Sequence, residues 1–204
     1  MPLVDADAKR ALLTRLFDHA PMFPPAAMSL PDALVEDERA QASADAWLLG
    51  RFVVPEGTVV EGRELAAVGG GTERQGDTVF VEGVSKIRCG GAAIPSVEEV
   101  AGFVRRCRDE GVVFKATAGL HHAYPTEAGE HGFLNLLAAV VFGDEEEALR
   151  APPGSFALDA ESFRWDGRAA GAEDLARVRA SLFHSIGSCS FFEPVGELHE
   201  LGIL

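Results

Sequence analysis

Two lysines at matching places in a strand–helix–strand unit constrain the fold of this chain more than any other feature. Residues 79–87 are rich in β-branched and apolar side chains and contain Lys86 near their end, and the apolar residues 112–114 lead into Lys115. Between them, residues 96–99 have the spacing of a capping box, and an apolar stripe follows at helical spacing. Such a unit packs as neighbouring strands of a parallel sheet, which places both lysines near the carboxyl ends of adjacent strands.

The spacing of the two lysines indicates a barrel. Lys86 and Lys115 are 29 residues apart, close to the roughly 31 residues per repeat of an eight-stranded βα barrel of about 250 residues. We therefore predict an α/β protein of the (β/α) TIM-barrel-like kind. It would form a single domain over residues 1–204, with an N-terminal helical segment over 1–50 and βα units over 51–204.

The choice of lysine at these two places has a chemical meaning. Of the 18 basic residues, only Lys9, Lys86 and Lys115 are lysines. Lysine can lose its proton when it is desolvated or lies beside another cation, whereas arginine effectively cannot. Two reactive amines are one interpretation, and two ordinary polar side chains that reach solvent at strand ends are the other.

Composition limits the possible partners. The formal net charge of −14 predicts no binding to nucleic acid, which needs clustered positive charge, and none to anionic membrane surfaces. The longest apolar run, Phe133 to Phe142, is too short to span a bilayer. Acidic residues near the start argue against a secretory signal, and three cysteines without close pairing favour a reducing cytoplasm. The bias toward Arg, Ala and Gly suggests a bacterial source with a GC-rich genome.

The rest of the chain predicts further elements. These are helices over 6–17, 31–49, 133–142, 144–150 and 172–182, strands over 51–54 and 183–190, a hairpin that turns at Asp166-Gly167, and a second capping box over 190–193.

Three segments are harder to interpret. Prolines between Phe17 and Pro25 predict irregular structure, with Asp18-His19 as a polar loop pair rather than a catalytic one. Residues 61–68 fit a helix or a strand. Residues 69–76 begin with three glycines and are interpreted as a flexible turn, because no Gly-Lys-Ser/Thr follows as in a phosphate-binding loop.

The last predicted strand ends in small and hydroxylated residues that suit an anion. Ile186-Gly-Ser-Cys-Ser190 leads directly into a capped helix, so backbone amides and hydroxyls would be presented together. In α/β barrels the loops after the last two strands commonly bind a phosphate. Gly187, Ser188 and Ser190 are therefore candidate anion-binding residues.

Three motifs follow one another along the chain: Lys86-Ile-Arg-Cys-Gly-Gly, Lys115-Ala-Thr-Ala-Gly and Ile186-Gly-Ser-Cys-Ser190. In this order they resemble the carboxyl-terminal half of the class I, Schiff-base aldolases of the deoxyribose-phosphate aldolase kind. The resemblance implies that Lys86 attacks a carbonyl carbon and that the charge of Lys115 favours the neutral amine of Lys86. It also implies that Arg88, Thr117, Gly187, Ser188 and Ser190 hold the anionic part of the substrate. The proton-shuttling acids of those aldolases have no clear counterpart in this sequence.

A second resemblance concerns the length of the barrel. Four motifs look like those of an uncharacterised bacterial barrel family whose members have longer chains. They are Lys-x-Arg-x-Gly-Gly, residues 114–122, His-Gly-Phe-Leu-Asn and Gly-Ser-Cys-Ser-Phe. Both ends of this chain resemble the members of that family, and the chain is shorter than they are near residues 69–76. The resemblance implies an incomplete barrel of about six strands, and a homodimer would cover its open edges.

The histidines offer a rival site. His121, His122 and His131 follow the strand of Lys115, with acidic residues between them, so a metal site for hydrolysis or isomerisation is an alternative. The spacing has none of the usual metal-binding motifs, so we expect no cofactor and assign His121 to substrate contact. Cys89 and Cys189 lie at predicted strand ends, and a cysteine nucleophile there would need His121 or His184 as a base.

These features together predict a lyase of aldolase character. It would act on a small anionic carbonyl compound, with Lys86, Lys115 and His121 as catalytic residues. A barrel remnant that binds an anionic metabolite or a partner protein without catalysis is the alternative outside enzymes.

Overall fold

A curled parallel sheet carries the fold. The computed structural model describes residues 7–68, 85–91 and 93–204. In this part of the chain, six parallel strands lie in the order β3-β2-β1-β9-β5-β4 and curl into a half-barrel that helices flank. The strands are β1 Phe17–His19, β2 Leu49–Pro55, β3 Leu65–Val68, β4 Ser85–Arg88, β5 Phe114–Thr117 and β9 Phe183–Ser188. The predicted incomplete barrel is thereby confirmed.

The helices and a small second sheet complete the described residues. The helices are α1 Ala8–Leu13, α2 Leu30–Ala42, α3 Val97–Glu110, α4 Phe133–Phe142, α5 Glu145–Arg150, α6 Ala172–Ser181 and α7 Phe192–Glu200, with a 3₁₀ turn at Ala46–Leu48. The small antiparallel sheet consists of β6 Ala157–Leu158, β7 Ser162–Trp165 and β8 Arg168–Gly171. None of the helices in these ranges is both long and apolar enough to cross a membrane.

Local sequence signals explain several element ends. Ser96 and Glu99 form the predicted capping box at the start of α3, and Gly111 ends that helix with a left-handed φ of 65°. Asp166 and Gly167 turn the β7–β8 hairpin with φ values of 48° and 69°. Both central residues of a type I′ turn need such values, which Asp-Gly adopts easily.

Apolar side chains on one face of the large sheet pack against the helices. Phe17 on β1 packs edge-on against Phe133 of α4, with ring centroids 5.5 Å apart. Phe114 on β5 contacts Phe103 of α3 at 5.3 Å and Phe183 of β9 at 5.0 Å. This outer face is buried under helices, as in other parallel sheets. Neighbouring residues alternate to the opposite face, called the inner face below.

The first strand corrects one prediction. Phe17–His19 forms β1 in the middle of the sheet, paired with both β2 and β9. The prediction of irregular structure from Phe17 to Pro25 is therefore wrong for these three residues, because the prolines begin only after the strand ends. Strand β1 lies within the N-terminal segment 1–50, between helices α1 and α2. Residues 65–68, whose sequence fits a helix or a strand, form strand β3. The turn predicted at 69–76 and residues 79–84 of the strand predicted before Lys86 lie outside the described residues.

Candidate functional site

A buried ion pair between Lys115 and Asp18 occupies the inner face. The Lys115 ammonium donates a hydrogen bond to Asp18 Oδ2, and both side chains are 1% exposed. Lys115 lies on β5 and Asp18 on β1, two strands that β9 separates. Charged groups with so little exposure occur in proteins mainly when they are paired.

Hydrogen bonds complete the surroundings of Asp18. Its Oδ1 accepts the backbone amide of Arg51 at 2.8 Å, and its Oδ2 accepts the Ser185 hydroxyl at 2.8 Å. Burial alone would raise the pKa of Asp18, but the charge of Lys115 and these hydrogen bonds outweigh it and lower the pKa. Asp18 is therefore an anion at neutral pH.

Burial acts on Lys115 in the opposite direction. Desolvation lowers the pKa of Lys115, and the nearby positive charges of Lys86 and Arg51 lower it further, while Asp18 opposes the shift. A lysine whose pKa is lowered can exchange a proton more readily near neutral pH than an exposed lysine can.

Two glycines leave space for this pair. A Cβ atom at Gly50 would lie 2.3 Å from Asp18 Oδ1, so no larger residue fits there. A Cβ atom at Gly187 would lie 3.6 Å from the Lys115 ammonium and 3.4 Å from a methyl group of Thr117. Gly187 thus brings the backbone of β9 close to Lys115.

Lys86 lies beside Lys115 on the same face. In the β4–β5 pairing, Lys86 is the direct partner of Lys115, and Arg88 is the partner of Thr117. Residues that pair in this way on parallel strands point to the same side of the sheet. Lys86 is half-buried and Arg88 is exposed, so these two cationic side chains border the buried pair.

The predicted anion-binding residues are largely engaged in local hydrogen bonds. Ser188 Oγ donates to the carbonyl of Ser190 at 2.6 Å, and Ser190 Oγ accepts the amide of Glu193 at 3.3 Å. Thr117 Oγ1 donates to the carbonyl of Ile87 at 3.3 Å. Both serines therefore shape the turn between β9 and α7.

His121 lies between a thiol and a carboxylate at the carboxyl end of β9. Its Nε2 is 3.7 Å from Cys189 Sγ, and its Nδ1 is 2.8 Å from Glu193 Oε2. Ser188 Oγ is 3.5 Å from the same Nδ1. Only half of the second predicted capping box forms, because the Ser190 amide donates to Ser188 Oγ while the Glu193 carboxylate contacts His121.

The other two histidines have different partners. His122 Nδ1 pairs with Glu197 at 2.6 Å, beside a cavity of about 230 Å³ that Tyr124, Thr126 and Glu200 also line. His131 Nε2 bonds the carbonyl of Pro95 at 2.8 Å. Within the described ranges, no group of three or more His, Cys, Asp or Glu side chains is arranged to hold a metal ion. The three histidines of the rival hypothesis are therefore not brought together.

His19, next to Asp18 in sequence, belongs to the outer face. Its Nδ1 is 2.9 Å from Asp37 Oδ1, and Arg63 Nε is 2.7 Å from the other oxygen of Asp37. The ring lies 6.0 Å from that of Phe52, and it is fully buried. Asp18 and His19 therefore do not act as a pair.

Sequence reasoning missed Asp18, Ser185 and Glu193 as site residues. The nearby prolines predict a loop at Asp18, although a single acid inside an apolar strand is a signal for a buried partner. Glu193 fits the sequence pattern of a capping box, and this local pattern gives no indication that its carboxylate pairs with the distant His121.

The fold and the site define the chain as an α/β half-barrel with a buried lysine–aspartate pair on its inner face. No protein-family model, curated protein or solved structure matches it. The resemblance to Schiff-base aldolases therefore rests on the quoted motifs alone.

Proposed function

We propose that the protein is a lysine-dependent lyase that acts on a small anionic carbonyl compound through a Schiff base. One observation supports this proposal above the others. Lys86 and Lys115 are direct partners on neighbouring strands, on the same face, with Asp18 bonded to the buried lysine.

The difference in burial suggests separate roles for the two lysines. Lys86 is half-buried at the border of the site, whereas Lys115 is 1% exposed. Lys86 would therefore be the nucleophile that a substrate can reach, and Lys115 with Asp18 would form an internal proton donor and acceptor.

The chemistry would run in four steps. The neutral amine of Lys86 adds to the carbonyl carbon, and loss of water gives a protonated imine. A base takes the proton of the substrate's β-hydroxyl group, the bond between the α and β carbons breaks, and the β fragment leaves as an aldehyde while the electron pair moves into the imine to give an enamine. A proton then returns to the α carbon, and water hydrolyses the imine and frees Lys86. Lys115 and Asp18 would take the hydroxyl proton and deliver it to the α carbon.

The charge of the inner face favours an anionic substrate. Arg88 is exposed at the carboxyl end of β4, and Lys86 and Arg51 lie close enough to Lys115 to lower its pKa. A carboxylate or phosphate on the substrate would meet these cations, although the whole chain carries a net charge of −14.

Borohydride trapping tests the proposal. The protein is incubated separately with pyruvate and with dihydroxyacetone phosphate, reduced with borohydride, and analysed by intact mass and peptide mapping. We expect a reduced adduct on Lys86 that disappears in Lys86→Arg, because arginine keeps the charge but does not form an imine. Lys9→Arg is the matched control, since Lys9 bonds the carbonyl of Ile203 at 2.7 Å and takes no part in the site.

The presence of only three lysines makes the mapping decisive. An adduct spread equally over Lys9 and Lys86 would show non-specific reaction and would contradict the proposal. The same conclusion follows if no compound of the panel gives an adduct with folded protein.

A non-catalytic barrel remnant that binds an anionic metabolite is the second candidate. The observation that favours it is that Lys86 and Arg88 place two further cationic side chains on the same face as Lys115. It predicts saturable binding of phosphate compounds in calorimetry, weakened in Lys86→Met, without any trapped adduct.

A further inference from the structure

Cys189, His121 and Glu193 form an arrangement at the carboxyl end of β9. The sequence predicts His121 as a catalytic residue of the lyase, but the four steps proposed above do not use it. From these contacts we infer that Cys189 is a second nucleophile, that His121 is its base, and that the pair reacts with activated esters or thioesters of small carboxylic acids. Glu193 is the positioning residue for the imidazole.

Geometry supports the pairing. Cys189 Sγ lies 3.7 Å from His121 Nε2, within the range of a hydrogen bond to sulfur, while Glu193 Oε2 lies 2.8 Å from Nδ1. A proton on Nδ1 that bonds Glu193 leaves Nε2 free to accept the proton of the thiol. This nucleophile–base–carboxylate order is recognised by geometry and not by sequence position.

Accessibility distinguishes Cys189 from the other two thiols. Cys189 is half-buried and the side chain of His121 is 16% exposed, so a small molecule can reach both. Cys89 is fully buried, and desolvation raises its pKa to about 12. Cys107 is 5% exposed on the packed side of α3, and burial also raises its pKa. These two thiols are therefore internal references of low reactivity.

The position along the chain also favours a negative charge. Cys189 lies just after β9 and three residues before the first residue of α7. The amino-terminal end of a helix stabilises anions, which include a thiolate or the oxyanion of an acyl intermediate.

The reaction balances without a cofactor. His121 takes the thiol proton through Nε2 as the sulfur adds to the acyl carbon. The intermediate then collapses, the bond to the leaving group breaks, and His121 gives its proton to that group. Water, deprotonated by His121, attacks the resulting thioester, which releases the carboxylic acid and restores the thiol.

The first test uses 4-nitrophenyl acetate. We expect release of nitrophenolate and an acetyl group on Cys189, identified by intact mass and peptide mapping. Cys189→Ser should lose the adduct, and His121→Gln should slow acylation by about 10²–10⁴-fold, the usual contribution of a general base. His122→Gln is the matched control, because the neighbouring histidine has a similar contact to a glutamate but no thiol.

The second test separates positioning from structural support. Among the described residues, Cys189 and Glu193 are the titratable groups in contact with the ring of His121, and the Ser188 hydroxyl is 3.5 Å from its Nδ1. The hydrogen bond from Cys189 contributes most to raising the pKa of His121, with burial opposing it and the charges of Cys189 and Glu193 adding to it. Acylation should therefore rise with pH as His121 deprotonates, and Glu193→Gln should move this rise to lower pH. Glu197→Gln removes the equivalent contact to His122 and should leave the profile unchanged.

Three outcomes would overturn the inference. They are acetylation of Cys89 or Cys107 at the same rate as Cys189, an unchanged rate in His121→Gln, and identical pH profiles for Glu193→Gln and the wild type. Lys9→Arg should keep full acylation, because Lys9 bonds the carbonyl of Ile203 away from this arrangement. The acetyl group is detected on Cys189 and the borohydride adduct on Lys86, so a failure of the lyase proposal would leave this inference intact.

Discussion

Removal of the Asp18 charge should destabilise the fold strongly. In Asp18→Asn the amide keeps an oxygen for the backbone amide of Arg51 and fits the space that Gly50 leaves. The Lys115 ammonium, however, stays 1% exposed without its counter-charge. The perturbation is therefore electrostatic, with little change of shape.

The expected magnitude follows from burial. Removing one partner of a buried ion pair costs about 3–5 kcal/mol, because the other charge stays desolvated and uncompensated. Asparagine keeps one hydrogen bond, so we expect the lower end, about 3 kcal/mol in the free energy of unfolding. In Asp18→Asn/Lys115→Met both charges are gone, and the loss should be smaller than the sum of the two single losses by at least about 1.5 kcal/mol.

Urea unfolding at pH 7 measures this. With an m value of about 1–3 kcal/mol/M, a loss of about 3 kcal/mol should lower the urea midpoint by about 1–3 M. Asp174→Asn is the control, because this exposed carboxylate pairs with Arg177 on the surface of α6, and such pairs contribute about 0–1 kcal/mol.

The pH dependence provides a second readout. The pKa of Asp18 is lowered from an ordinary value of 3.8, so its stabilisation is present above pH 3.8 and is lost as the pH falls below it. The gap between wild type and Asp18→Asn should therefore narrow in acid. A free energy of unfolding at pH 7 within about 0.5 kcal/mol of the wild-type value, at an unchanged m value, would refute the reasoning.

Two further substitutions test how the strands are held together. Gly119 has a φ of +70°, and a Cβ there would lie 2.6 Å from the Cα of Gly90. Gly119→Ala should therefore lower the thermal midpoint more than Gly129→Ala, whose φ is +87° but whose Cβ would meet nothing within 4 Å. Arg179 donates to four backbone carbonyls, those of Leu12, Thr14, Phe183 and His184. Arg179→Lys should lower the free energy of urea unfolding by about 2 kcal/mol, because the planar guanidinium fork is lost. Arg177→Lys, at an exposed position, should leave that free energy almost unchanged. Equal decreases in the two variants would contradict this role of Arg179.

Local signals explain what the sequence could predict. The capping box at Ser96, the Asp166-Gly167 turn and the apolar run Phe133–Phe142 each depend on neighbours within a few residues. The lysine spacing predicted neighbouring parallel strands, and Lys86 and Lys115 are indeed direct partners.

The parts of the site that escaped prediction depend on distant partners. Asp18 is polar and precedes a proline-rich stretch, and its burial makes sense only with Lys115, 97 residues away, and Ser185, 167 residues away. Glu193 satisfies a local pattern, but His121 competes successfully for its carboxylate. Local propensity does not reveal such long-range choices.

The strand order has a consequence for how the chain acquires its site. Strands β1 to β3 are sequential neighbours, and so are β4 and β5; among the strands that the structure describes, β9 alone connects the two sets. Asp18 on β1 and Lys115 on β5 are therefore held together only when β9, which also carries Ser185, lies between their strands. Until β9 has been synthesised, the two sets of strands stay separate and their polar groups stay exposed to solvent. We expect the long-range pairing of β9 with β1 and β5 to be the slow step of folding.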